Sequence, residues 1–137
     1  MRCLIDANII LDVISDREPF VTDSSVIWKM CETGQIEGYI SALTFADLVY
    51  VLRKEMDPEE IETLYEFLRL IFYVAELNED ILSKASAMRW PDYEDAIQSA
   101  TASRIRADYI ISRNVKDYKD SKIVALTPGE MIGLSLS

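Results

Sequence analysis

The sequence contains no histidine, which removes the usual imidazole acid–base pair, the serine–histidine–aspartate triad and histidine-ligated zinc from consideration. It has only two cysteines, Cys3 in an apolar run at the start and Cys31 within a helical pattern. Their spacing fits neither a metal site nor a disulfide framework. Both read as small buried hydrophobes, which suits a reducing, cytoplasmic setting. Long apolar runs are missing too. Charged residues interrupt each one within a few positions, so no membrane-spanning segment is expected. The start reads as a strand followed by an acid, not as a basic region plus an apolar segment, so no secretory leader is expected. Positive charge is scarce: 14 Lys and Arg face 24 Asp and Glu, a formal net charge of −10. That balance argues against broad, nonspecific attraction to nucleic acid. It leaves room for a nucleic-acid substrate whose phosphate is reached through a metal, and for a basic protein partner.

What is present is a chain of 137 residues, half of them apolar, enough to bury the core of one domain spanning 1–137. Short β-rich runs alternate with helical patterns, which predicts parallel α/β units. Strands are expected at 2–5, 37–41, 71–76, 108–112 and 122–125. Tyr109-Ile110-Ile111 is apolar throughout, as a central strand covered on both faces requires. Helical stripes run through Val26, Ile27, Met30 and Cys31, through Leu48, Val49, Val51 and Leu52, and through Ile61, Leu64, Tyr65 and Leu68. Two more contain Ile81, Leu82, Ala85 and Met88, then Ala96, Ile97, Ala100 and Ile105. Thr127-Pro128-Gly129-Glu130 opens a terminal helix with proline at its first position. No repeat, low-complexity tract or flexible linker interrupts this order.

Four aspartates sit at the junctions of these elements: Asp6 after the first strand, Asp47 in the helix after the second, Asp95 opening the helix before the fourth, and Asp117 after the fourth. Each has an ordinary explanation. Asp6 suits an N-cap, and the pairs Thr44–Asp47, Asp92–Asp95 and Asn114–Asp117 have the spacing of capping boxes. An acid in a first helical turn also gains roughly 0.3–1 kcal/mol from the helix dipole. Capping accounts for each residue but not for their convergence. In an open parallel sheet the junctions beyond the carboxyl ends share one edge, where chemistry gathers. Two carboxylates about 5 Å apart repel by roughly 3 kcal/mol at an effective dielectric of 20. Several at one edge call for a cation or for shared protons. An all-oxygen set without histidine selects Mg2+ or Mn2+ over zinc.

Four blocks carry a resemblance: Leu4-Ile5-Asp6-Ala7-Asn8, Ser41-Ala42-Leu43-Thr44-Phe45-Ala46-Asp47, Tyr93-Glu94-Asp95-Ala96, and Ile111-Ser112-Arg113-Asn114-Val115-Lys116-Asp117-Tyr118. In this order they resemble the PIN-domain family, and within it small prokaryotic single-domain members, including VapC-like toxins. The resemblance implies an α/β fold: a three-layer α/β/α sandwich around a central, mainly parallel sheet. It implies a Mg2+- or Mn2+-dependent endoribonuclease of a toxin–antitoxin pair, leaving 3′-hydroxyl and 5′-phosphate ends. By position, Asp6, Asp95 and Asp117 match the family's metal acids. Asp47 falls where many members carry glutamate, so a water-mediated contact suits its shorter reach. Asn8 matches the small polar position of the opening block and Ser112 the hydroxyl ahead of the last acid. Asn114 supports the Asp117 junction. Glu94 neighbours Asp95; adjacent side chains on a helix point about 100° apart, which predicts that one of the two faces the metal.

Substrate contacts have two readings each. Arg113 and Lys116 flank the last acid and suit phosphate, or are solvated surface cations; Arg17, Arg53 and Lys54 follow them. Tyr50, Tyr93 and Tyr118 suit base stacking, or ring packing. Trp28 and Trp90 read as core or interface. The resemblance further implies an RNA substrate, a small antitoxin protein covering the cleft, and a homodimer. The rival reading is a non-catalytic or regulatory module with a metal-binding acidic cleft. An aspartyl-phosphate enzyme is disfavoured, because such phosphatases want a second aspartate two residues after the nucleophile, where this chain has Asn8.

Overall fold

In the computed structural model, residues 1–136 are described. Five strands form one sheet: β1 (Arg2–Ile5), β2 (Glu37–Ser41), β3 (Tyr73–Ala75), β4 (Tyr109–Ile111) and β5 (Ala125–Leu126). Their order is β3-β2-β1-β4-β5, and every neighbouring pair is parallel. β1 takes the centre because it is apolar on both faces. Cys3 and Ile5 pack to one side, Leu4 to the other. On the first side lie α1 (Ala7–Ile14), α2 (Val21–Glu32), α3 (Ala42–Leu52), α4 (Pro58–Ile71) and α7 (Pro128–Ser135). On the second lie α5 (Glu79–Met88) and α6 (Tyr93–Arg104), with Ala102 of α6 against Leu4 and Ile110. The result is the three-layer α/β/α sandwich with a parallel centre.

The packing of α2 on β2 is tight enough to exclude a side chain. A Cβ on Gly38 would collide with Cys31 Sγ and stand 3.0 Å from the Phe72 ring. Both cysteines are buried and free, and burial pushes each thiol up to about 12, so neither is nucleophilic at neutral pH.

β1 and β2 fall where the sequence places them; the others shift for identifiable reasons. β3 starts two residues later than expected, because α4 continues through Ile71 and the Phe72 N–H donates to Leu68 O. β4 is trimmed at its start, where the Asp108 carboxylate turns to accept the Arg2 N–H at 2.8 Å. β5 forms at the far end of the expected 122–125 stretch. Ser121 Oγ accepts the Ile123 N–H, holding 121–123 out of the ladder, and the first rung is Ile110 N–H to Val124 O. Val26 and Val51, expected in the core, are 40% and 47% exposed.

The chain builds outward from β1 through β2 to β3, then returns through α5 and α6 to add β4 on the other side of β1. The reversal between β1 and β4 opens a crevice at the carboxyl ends of those strands. Among the described residues, no helix is long and apolar enough to cross a membrane.

Candidate functional site

The crevice is built from Asp6 outward. Its N–H donates to Ile111 O at 3.0 Å, which fixes the residue beside the end of β4. Its extended backbone makes it the N-cap of α1, with Oδ1 accepting the Ala7 N–H at 3.0 Å. Oδ2 accepts from Ser112 Oγ at 2.8 Å, and that hydroxyl accepts the Asn114 N–H at 3.0 Å. Capping and placement of charge are therefore not alternatives here, since one carboxylate does both. Burial pushes the Asp6 pKa up. The bonds from Ser112, Ala7 and Gln98 oppose that rise, while the nearby Asp117 carboxylate adds to it.

The remaining acids arrive by different local routes. Ser41, not Thr44, caps α3: its Oγ accepts the Thr44 N–H at 3.0 Å. The expected Thr44–Asp47 capping pair is not formed, and Asp47 sits in the second turn of the helix. Asp92 does cap α6, accepting the Asp95 N–H at 3.1 Å, so Glu94 and Asp95 share its first turn. Asp117 lies in a short 3₁₀ helix, Val115–Tyr118. Asn114 precedes that helix without a side-chain cap, and the Asp117 N–H bonds the Asn114 carbonyl instead.

Asp6, Asp47, Asp92, Glu94, Asp95 and Asp117 line one cleft of about 460 Å³, together with Asn8 and Asn114. Glu94 and Asp95 both line it. Among the described residues, no Lys or Arg lines it. The carboxylates feel one another. Burial and then Asp6 raise Asp47, and burial followed by Asp47, Asp92 and Asp6 raises Glu94. Asp95 is pushed up to about 6 by burial, then by Asp92, Asp117 and Asp6, against a hydrogen bond from Tyr118. That phenol is buried, donates to Asp95 Oδ1 at 3.4 Å, and has its own pKa raised, first by burial.

The all-oxygen donor set suits a hard divalent ion. Among the described residues, however, no three acids stand close enough to hold a metal ion as a group. A site of this spacing fits an ion that keeps several of its waters, with one or two direct carboxylates and the rest reached through water.

Ser112 lies behind Asp6, fully buried. Arg113 does not line the cleft. Its Nε stands 3.1 Å from Oδ2 of fully buried Asp12, and its guanidinium lies 3.9 Å over the Phe20 ring. Lys116 lines an adjoining hollow with Asp92, Asp95 and Asp117. Tyr50 is exposed and lines the cleft, Tyr93 is exposed with its hydroxyl donating to Leu82 O, and Trp28 and Trp90 pack partly buried in the core.

Sequence reasoning missed Gln98. It is buried, accepts from Ser41 Oγ at 2.6 Å and donates to Thr44 Oγ1 at 3.1 Å, besides facing Asp6. One neutral side chain thus ties β2, α3 and α6 to the acid after β1. The available signal is the run Ala96-Ile97-Gln98-Ser99-Ala100-Thr101-Ala102, without charge and buried at every position.

Comparison with known proteins agrees with this fold. No match was found among curated protein sequences. The fold is similar to a toxin–antitoxin complex from Klebsiella pneumoniae, at 25% identity and a TM-score of 0.68 over 92% of this chain and 97% of that one. It is also similar to VapBC-1 from nontypeable Haemophilus influenzae, at 18% identity and 0.71 over 94% and 99%. FitAcB from Neisseria gonorrhoeae matches at 16% and 0.69 over 93% and 98%. Residues 2–116, which carry every cleft acid except Asp117, match the PIN domain, and the chain belongs to the PIN-domain family.

Proposed function

We propose that the protein is a Mg2+- or Mn2+-dependent endoribonuclease and the toxin of a toxin–antitoxin pair. The observation that carries this reading is the convergence of six carboxylates, from four separate stretches of chain, on one cleft at the carboxyl edge of the sheet. Asp6, Asp95 and Asp117 would hold the cation, in part through its retained waters, with Asp47 assisting through water. When bound, the ion supplies neutralisation of phosphate charge and acidification of a water. Ser112 and the α1 N-terminus fix the direction of the Asp6 carboxylate. Asn8, Glu94 and Asn114 complete the polar lining, and Lys116 meets phosphate from the side of Asp117. The products carry 3′-hydroxyl and 5′-phosphate ends.

The family relationship supports a nuclease, and a toxin–antitoxin complex of similar fold supports a protein partner; a small antitoxin over the cleft and a homodimer belong to the same proposal. Two buried free thiols suit a cytoplasmic site of action, and the span 1–137 acts as one domain. The test is cleavage of an RNA pool with manganese. The wild-type chain cuts, excess chelator stops it, and Asp6→Asn abolishes cutting while its circular dichroism is unchanged. Full activity in Asp6→Asn would end this reading.

The absence of a three-acid group among the described residues favours one rival, a metal-binding module without catalysis. Calorimetric manganese binding with no cleavage of any RNA would establish it.

A further inference from the structure

The cleft has a second chemical character beside its acids. The carboxyl-terminal turn of α3 contributes Tyr50 and Val51 to the lining, 64% and 47% exposed. Positions three and four residues apart share a helix face, about 5–6 Å between Cβ atoms, so both stand next to Asp47. The next residue to matter is Arg53. Its Cζ lies 3.9 Å from the Tyr50 ring centroid, and its Nη1 donates to the Tyr50 carbonyl at 2.5 Å. A surface arginine is free to extend into water; this one is drawn back over the ring. One face of α3 therefore presents carboxylate, then phenol ring, then guanidinium, running outward from the acids.

Core packing does not explain this strip, because Tyr50 leaves most of its surface in solvent. Its chemistry is complementary to a polyanion with flat bases. The cleft lining itself offers phosphate no cation. Arg53 brings one to the α3 wall, and the ring and guanidinium plane both present π surfaces on which a base stacks regardless of sequence. Double-stranded substrate buries those base faces, so the occupant is unpaired.

We propose that Tyr50 and Arg53 form a stacking subsite for single-stranded nucleic acid at the mouth of the acidic cleft, gripping the nucleotide next to the reacting phosphate. The proposal rests on the reading of that cleft as a nuclease site. In a fluorogenic assay with a random-sequence single-stranded RNA pool and manganese, Tyr50→Ala raises KM about 10-fold with kcat retained. Tyr50→Phe keeps the ring and restores the wild-type KM, and Arg53→Gln raises KM with a shallower dependence on salt. Fluorescence anisotropy of a labelled RNA of the same kind repeats the comparison without turnover. A wild-type chain that binds but does not cut removes the nuclease reading, and the subsite then stands if Tyr50→Ala binds about 10-fold more weakly. An unchanged KM and affinity in Tyr50→Ala overturn the subsite even if the chain cuts RNA. So does a Tyr50→Ala chain that changes oligomeric state by light scattering while binding RNA normally, since Tyr50 then serves contact between copies.

Discussion

Ser112 donates its hydroxyl to Asp6 across 2.8 Å, joining two residues 106 positions apart at the ends of neighbouring parallel strands. Because the bond favours the charged carboxylate, Ser112→Ala raises the Asp6 pKa further and frees the carboxylate to turn. Partners of this kind are typically worth 10- to 100-fold in metal affinity or activity. Manganese affinity measured by calorimetry at pH 7 is expected to fall by that order, with a smaller loss in Ser112→Thr, which keeps the hydroxyl.

Gln98→Leu tests the buried network independently. The substitution leaves Ser41 and Thr44 with each other but without the amide, at a cost of about 1–3 kcal/mol in urea unfolding. It also deprives Asp6 of a donor, so activity is expected to fall more than in a control of equal stability loss, such as Ile97→Val. Equal activity in the two would reduce Gln98 to a packing residue.

The cleft acids make a statement about pH. Asp95 has a folded-state pKa of about 6, above its ordinary value of 3.8, so between those limits the folded chain binds more protons than the unfolded one. Stability contributed by that proton is fully present below about 3.8 and is lost as pH rises through about 6. In the metal-free protein, Asp95→Asn should flatten this part of the Tm-against-pH curve. Protons and cation compete for the same oxygens, so apparent manganese affinity should decline as pH falls below about 6.

Arg113 is expected to matter to folding first. Arg113→Ala leaves Asp12, fully buried and with Oδ1 lacking a hydrogen-bond partner, as an unpaired interior charge. Breaking a buried pair from one side typically costs about 3–5 kcal/mol. The double variant Asp12→Leu, Arg113→Met removes both charges and should recover most of that loss in chemical denaturation. A single variant as stable as wild type would show the pair to be solvated.

The legible and illegible parts of this fold differ in kind. β1 was readable because it is a compact apolar run ended by a residue with an evident second role, Asp6, and β2 because it is a short run between two helical stripes. β5 was not, since a two-residue strand has no period; its register depends on Ser121 holding the turn before it. Asp6, Asp47, Asp95 and Asp117 were legible as junction acids, and the cleft brings all four together. How each arrives was less legible. Thr44 reads as a cap from its type and spacing, yet Ser41 is three residues earlier and equally suited, and only the end of β2 decides between them. Gln98 was invisible because a glutamine among small residues reads as surface until the whole helix is known to be covered. Arg113 was misplaced for a related reason: its partner, Asp12, belongs to a distant stretch.

The tripeptide Ser112-Arg113-Asn114 grips α1 twice, through Asp6 at the start of the helix and through Asp12 further along it. Six helical positions correspond to about 9 Å along the axis and about 120° around it. Anchors so arranged stop a rod from rolling as well as from sliding. The orientation of the one carboxylate that sits between the two central strands is thus inherited from the rigidity of an entire helix, not from the stiffness of its own side chain.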